Sequence, residues 1–156
     1  MSSKLLKYFS VFIIMMLFGC AGSVSKQHEL NLQIEIVKLN TWVNLMPGKT
    51  NLFYLSGNIR IRNIKNEYLN NLELNEVTLL QDDKVVHVVK PVFYADNGSP
   101  HISPGEEKFF TLKTAAGLKI LDKLNLNIPL DLKLKFVDGE AAYIYKINNV
   151  KIEKVY

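Results

Sequence analysis

Chemistry in a chain of 156 residues must come from a small set of side chains, and the histidines are the first to weigh. His28, His87 and His101 include no pair at the spacing that sets two imidazoles on one helix face around a metal ion. His87 sits among valines in Val85-Val86-His87-Val88-Val89, which reads as a strand histidine at an edge or surface without local co-ligands. His101 lies near Glu106 and Glu107, a grouping ordinary for surface charge. A nucleophilic serine would need a base and an orienting acid. The nearest fragment, Gly98-Ser99-Pro100-His101, lacks the Gly-x-Ser-x-Gly turn that lifts a serine above a sheet. Asp82-Asp83 offers two carboxylates, but neighbours at a hairpin tip point apart, so acid–base work or calcium binding would need help from distant residues. The glycines are scattered at turns and form no phosphate-cradling loop. No catalytic residue, metal ligand or cofactor is therefore assigned.

The one cysteine, Cys20, cannot form an intramolecular disulfide or a multi-thiolate metal site, so its position carries the information. Ahead of it a short positive segment containing Lys4 and Lys7 leads into the apolar run Tyr8–Phe18, and small residues follow. This order is that of a secretory signal, and the apolar run is about half the ~20 residues a membrane span requires. Leu17-Phe18-Gly19-Cys20 resembles the lipobox of bacterial lipoproteins, with an aliphatic residue at −3 and a small one at −1. Phe18 departs from that pattern, in which a smaller or aliphatic residue is usual. The resemblance implies a signal peptide over 1–19, diacylglycerol on Cys20, and membrane anchorage through that lipid. Ala21 stands where an aspartate would signal retention at the inner membrane, so the outer membrane is the expected location. Residues 20–29 are small and polar and read as a flexible tether.

Charge narrows the partners. The net charge of +4 includes Lys4 and Lys7, so the exported chain is close to balance. Its lysines are dispersed, which supplies no basic footprint for nucleic acid. Apolar residues make up 48% of the sequence, enough to fill the core of one domain over 30–156.

The elements that would position any site read as strands. Leu30, Leu32, Ile34 and Ile36 alternate with polar residues, and at Ile36-Val37 the phase slips by one, as a β-bulge produces. Phe53, Leu55, Gly57, Ile59 and Ile61 form a second alternation with Asn58, Arg60 and Arg62 on its other side. Leu72, Leu74, Val77 and Leu79 lead through Gln81-Asp82-Asp83-Lys84 into the valine strand that Pro91 ends or edges. Further strands lie around Phe110 and Leu112, over Leu130–Phe136, and beyond Asp138-Gly139 through Tyr143, Tyr145 and Ile147. Leu118, Leu121 and Leu124 share a helical spacing that fits a short crossover helix.

About seven short strands with turns between them and no βα alternation predict an all-β, antiparallel two-sheet sandwich of immunoglobulin or fibronectin type III character. Ile102-Ser103-Pro104-Gly105-Glu106 before Phe110 resembles the turn entering a strand in many bacterial Ig-like modules, though any turn needing Pro then Gly would look the same. A second likeness, confined to the lipobox and the strand pattern, is to the small outer-membrane lipoprotein of type VI secretion systems.

Neighbouring strand residues face opposite ways, so Phe53-Tyr54, Phe93-Tyr94 and Phe109-Phe110 cannot all bury both rings in one core. Tyr54, Tyr94 and Phe109, with Arg60 and Arg62, are the candidate partner contacts. Lys133 and Lys135 form another basic pair that suits anions or plain solvation, and Trp42 is either the core's largest plug or an anchor for a partner, with burial the expectation. The resulting expectation is a lipid-anchored interaction or structural module that meets an envelope protein. The competing reading, a ligand carrier or enzyme, needs a pocket gathering His87, His101, Glu106 or Asp82 from separate strands.

Overall fold

A computed structural model describes residues 32–156. The strands are β1 (Leu32–Asn44), β2 (Leu52–Asn63), β3 (Glu73–Gln81), β4 (Lys84–Val89), β5 (Val92–Ala95), β6 (Glu107–Lys113), β7 (Leu130–Asp138), β8 (Ala141–Val150) and β9 (Glu153–Val155). One sheet runs β5-β6-β2-β1-β9 and the other β4-β3-β7-β8. All pairings are antiparallel except the short β1–β9 contact. With β9 set aside, these orders match strands D-E-B-A and C′-C-F-G of the immunoglobulin sandwich.

Alternation explains the core. Phe53, Leu55, Ile59 and Ile61 of β2 are at most 1% exposed and face Val77, Leu79, Leu132, Leu134 and Phe136 of the opposite sheet, which are equally buried. Phe93 of β5 stacks on Phe110 at 4.8 Å and meets the edge of Phe136 at 5.8 Å, tying the sheets together where β5 closes one side. Pro91 is buried and ends β4; the chain then leaves the four-stranded sheet and joins the other as β5.

The bulge read from the sequence is present. Register shifts between Ile36 and Lys38, and Val37 is turned outward at 49% exposure. The Gln81–Lys84 hairpin has Asp82 at φ 49° and Asp83 at φ 61°, the type I′ geometry whose twist matches paired strands. The Ser103–Glu106 turn is type II, with Pro104 at its second position, Gly105 at φ 75°, and the Glu106 N–H donating to the Ser103 carbonyl at 3.0 Å.

Three expectations are corrected. The described residues form nine strands, the additional ones being β5 and β9, which at four and three residues are too short to show a period. The crossover helix shrinks to a 3-10 turn at Leu121–Lys123. Leu118 instead bridges to Phe53 through two backbone hydrogen bonds of 2.8 and 3.0 Å, and Ile120 and Leu124 enter the core. Trp42 is on the outer face of the five-stranded sheet, half-buried against Tyr54. The bulge at Val37 reset the phase so that Thr41 and Val43 point inward and Trp42 outward.

Buried polar side chains close both ends. At the first pole, where β1 begins, Asn63 is fully buried. Its Nδ2 donates to the carbonyls of Glu67 at 2.8 Å and Ile102 at 3.1 Å, and its Oδ1 accepts the Lys65 N–H at 3.0 Å. At the second pole Gln81 donates from Nε2 to the carbonyls of Asn125 and Ile128, each at 2.8 Å, and accepts the Asn125 N–H at 2.9 Å. One amide side chain at each pole thereby ties loop backbone together, beside the bonds the backbone makes itself between Leu69 and Ile102 at the first pole and between Ile128 and Asn125 at the second.

Candidate functional site

Cys20, with Leu17, Phe18 and Gly19, lies outside the described residues, as does the 20–29 tether. The other candidates converge. Partners in an antiparallel register share a face, and the registers Glu35↔Arg60↔Phe109, Gln33↔Arg62↔Glu107 and Asn58↔Thr111↔Tyr94 place Arg60, Arg62, Phe109 and Tyr94 together on the outer face of the five-stranded sheet. Tyr54 joins them through Trp42↔Tyr54.

Each ring on this face has a partner. Trp42 and Tyr54 stack at 5.2 Å and 10°. The Arg60 guanidinium lies over Phe109 at 5.2 Å, and the Lys113 ammonium over Tyr94 at 5.9 Å. Arg60 also forms ion pairs with Glu35 at 3.4 Å and Glu107 at 3.6 Å, on either side of it. Even so, Phe109 and Tyr94 remain 42% and 45% exposed, with Val92 beside them at 39%. Aromatic rings and a pre-positioned arginine are the side chains that concentrate binding energy at interfaces.

Sequence reasoning missed Trp42, Glu35, Glu107 and Lys113 on this face. For Trp42 the signal was available, because continuing the bulge-shifted alternation through Thr41 and Val43 turns it outward. For the others, only strand register reveals the neighbours.

The groups needed for the competing reading stay apart. Asp82 is at the β3–β4 tip on the second pole, and His87 is in mid-strand β4. His101 belongs to the first-pole loop, where it stacks on Tyr68 at 5.3 Å. Glu106 is near it but engaged elsewhere. Its carboxylate accepts the Ser103 N–H at 2.7 Å, which holds its pKa below the ordinary value, and Lys108 at 3.5 Å adds to that effect. Among the described residues no three His, Asp or Glu side chains gather as metal ligands, and no helix is long and apolar enough to cross a membrane. A cleft of about 300 Å³ opens beside β5, between Leu72, Leu74, Lys90, Phe93 and Tyr94. It contains none of His87, His101, Glu106 or Asp82.

No known protein family, curated protein or solved structure matches the chain.

Proposed function

We propose that this is an exported bacterial lipoprotein, held at the outer membrane by acyl chains on Cys20, whose domain docks an envelope protein against the outer face of the five-stranded sheet. A buried methylene contributes about 0.8 kcal/mol, so two or more acyl chains hold the protein stably at the bilayer and confine the search for a partner to two dimensions. The observation that carries the docking role is the gathering of Tyr54, Arg60, Arg62, Tyr94 and Phe109 on one face, with exposed rings capped by ordered cations. Isolated apolar surface residues are common, but a registered patch spanning several strands is what a partner can bury.

Photo-crosslinking in intact cells tests it. A photoreactive residue at Phe109 or Tyr94 is expected to capture one envelope protein that a photoreactive residue at Lys133, on the other sheet, does not. Arg60→Ala combined with Phe109→Ala should abolish the adduct while the domain stays folded. Equal capture from all three positions, or none from the aromatic face, rejects the docking role. The anchor is tested separately: Cys20→Ser should end incorporation of labelled fatty acid and release the protein from membranes.

A further inference from the structure

The four-stranded sheet has two edges, and they are built differently. β4 is broken by a register shift between Leu79 and Leu80, begins at Lys84, and runs into Lys90 and Pro91. Bulges, charges and proline are the usual guards against strand addition. β8 has no bulge and no proline over its first seven residues, and its one charge there is Lys146. It pairs with β7 without interruption from Asp138↔Ala141 to Leu132↔Ile147 and is disturbed only beyond that point, where Asn149 takes φ 59°. In the other sheet, β5 and β9 are too short to serve as a template, and residues 32–41 of β1, which β9 leaves uncovered, are interrupted by the bulge at Val37 and carry Glu35 and Lys38.

The polarity of this edge follows from the turn. Asp138 and Ala141 flank a two-residue loop with Gly139 at φ 59°, so they form the hydrogen-bonded pair that closes a hairpin. Strict alternation then directs the amides of Tyr143, Tyr145 and Ile147 toward β7. The N–H and C=O groups of Ala142, Ile144 and Lys146 therefore point outward, without a strand beside them among the described residues. Their side chains are exposed, Ile144 at 55%.

We infer that β8 pairs with β8 of a second copy of this chain, antiparallel and centred on Ile144. In that register Ile144 meets its own counterpart and exchanges both backbone hydrogen bonds with it. Ala142 and Lys146 each pair with the other in the second copy, so every outward amide on the segment is used. Lysine faces alanine rather than lysine, and no like charges are opposed. On the inner face, Tyr143 stands opposite Tyr145 of the second copy, covering a ring that is only half-buried at the rim of the core. The result is one continuous sheet in the order β4-β3-β7-β8-β8-β7-β3-β4. Its free ends are the guarded β4 edges, so the pairing closes as a two-fold dimer instead of propagating. This pairing is independent of the lipid anchor and leaves the aromatic face uncovered.

Sedimentation of the full chain in detergent micelles tests the inference. The unaltered protein should show a concentration-dependent dimer. Ile144→Lys, which sets two lysines against each other across the axis, should weaken it by at least about tenfold with no change in the thermal unfolding of the monomer. Ile144→Cys should crosslink under mild oxidation, because Cα atoms of a hydrogen-bonded pair lie about 5.5 Å apart, within disulfide range. Val88→Cys, equally exposed on β4, should not. A monomer at all concentrations, a dimer indifferent to Ile144→Lys, or crosslinking no faster from Ile144→Cys than from Val88→Cys overturns the inference. The crosslinking comparison stands even if the lysine variant fails to fold.

Discussion

Asn63→Ala should destabilise the domain more than any loss of apolar contact at that site would suggest. The side chain is fully buried and makes three hydrogen bonds, of 2.8, 3.1 and 3.0 Å, to loop backbone on both sides of it. The Ile102 carbonyl keeps a second donor in the Leu69 N–H, so its loss is partial, whereas the substitution removes the side-chain partner of the Glu67 carbonyl and of the Lys65 N–H. At about 1 kcal/mol net per hydrogen bond, two full losses and one partial one sum to about 2–3 kcal/mol, a large share of the 5–15 kcal/mol that holds a domain together. With a urea slope of about 1.5 kcal/mol per M, the unfolding midpoint should fall by about 1.5–2 M with the slope unchanged. The single tryptophan reports the transition from the far side of the molecule. A fall of less than about 0.5 M would show that water replaces the amide and that the loops do not depend on it. Asn63→Asp sharpens the test. It preserves the acceptor for Lys65 but sets a carboxylate oxygen against two carbonyls in a buried site, which favours the protonated form and raises its pKa. The folded state then takes up a proton as pH falls, so the stability deficit against the unaltered chain should be largest at pH 7 and shrink toward acid.

Asp83→Gly should stabilise the β3–β4 hairpin by about 0.5–1 kcal/mol, because Asp83 holds φ 61° in a turn that favours glycine there; a lower melting temperature would contradict the turn assignment. Gly105→Ala should cost about 1–2 kcal/mol from backbone strain alone, since φ is 75° and an added Cβ meets nothing within 4 Å. Thermal unfolding of the two variants therefore probes left-handed backbone in opposite directions. Glu106→Gln tests a charge: the folded pKa is lowered, so the stabilisation is present above the ordinary value of 4.5 and is lost as pH falls through the lowered one. Urea midpoints of the parent and variant should differ at pH 7 and converge as pH falls below the lowered pKa; a gap that does not change with pH would exclude the ionised contact as its source.

Periodicity made most of the architecture legible, and the places where it failed share a cause. Alternation tells which residues of a strand face together but not which strand lies beside it. The aromatic face is therefore visible only in pieces, as Tyr54, Arg60, Tyr94 and Phe109 on three strands. Register assembles it, and adds Glu35 and Glu107 on either side of Arg60. For Trp42, size argues for the core and phase against it. β1 ends one residue beyond Val43, at Asn44, ahead of the Pro47-Gly48 turn, and a large ring stacked on Tyr54 serves the outer face instead. The helical spacing of Leu118, Leu121 and Leu124 extends over too few turns to compete with the bridge Leu118 makes to Phe53. Asn63 and Gln81 gave no sequence signal, because their roles depend on loops that meet only after the sheets have packed.

The two proposed surfaces also constrain each other through the anchor. Leu32, which follows the proposed anchor segment, is on the pole where Asn63 sits. Antiparallel β8 pairing puts the corresponding poles of two copies at opposite ends of the joined sheet, with the two-fold axis perpendicular to it. Under the proposed anchorage through Cys20, both lipids enter one membrane only when that axis stands along the membrane normal, so the strands would lie flat and one outer face of each sandwich would look toward the lipid. Charge does not choose between the faces: on the four-stranded sheet Lys133 stands opposite Lys146 but Lys135 stands opposite Glu76, and on the other sheet Arg60, with Glu35 and Glu107 beside it, shares its face with Arg62 and Lys113. Pairing through β8 sets both aromatic faces on the same side of the joined sheet, so for a partner that spans the two copies Ile144→Lys should reduce crosslinking from Phe109 without touching the face that makes it.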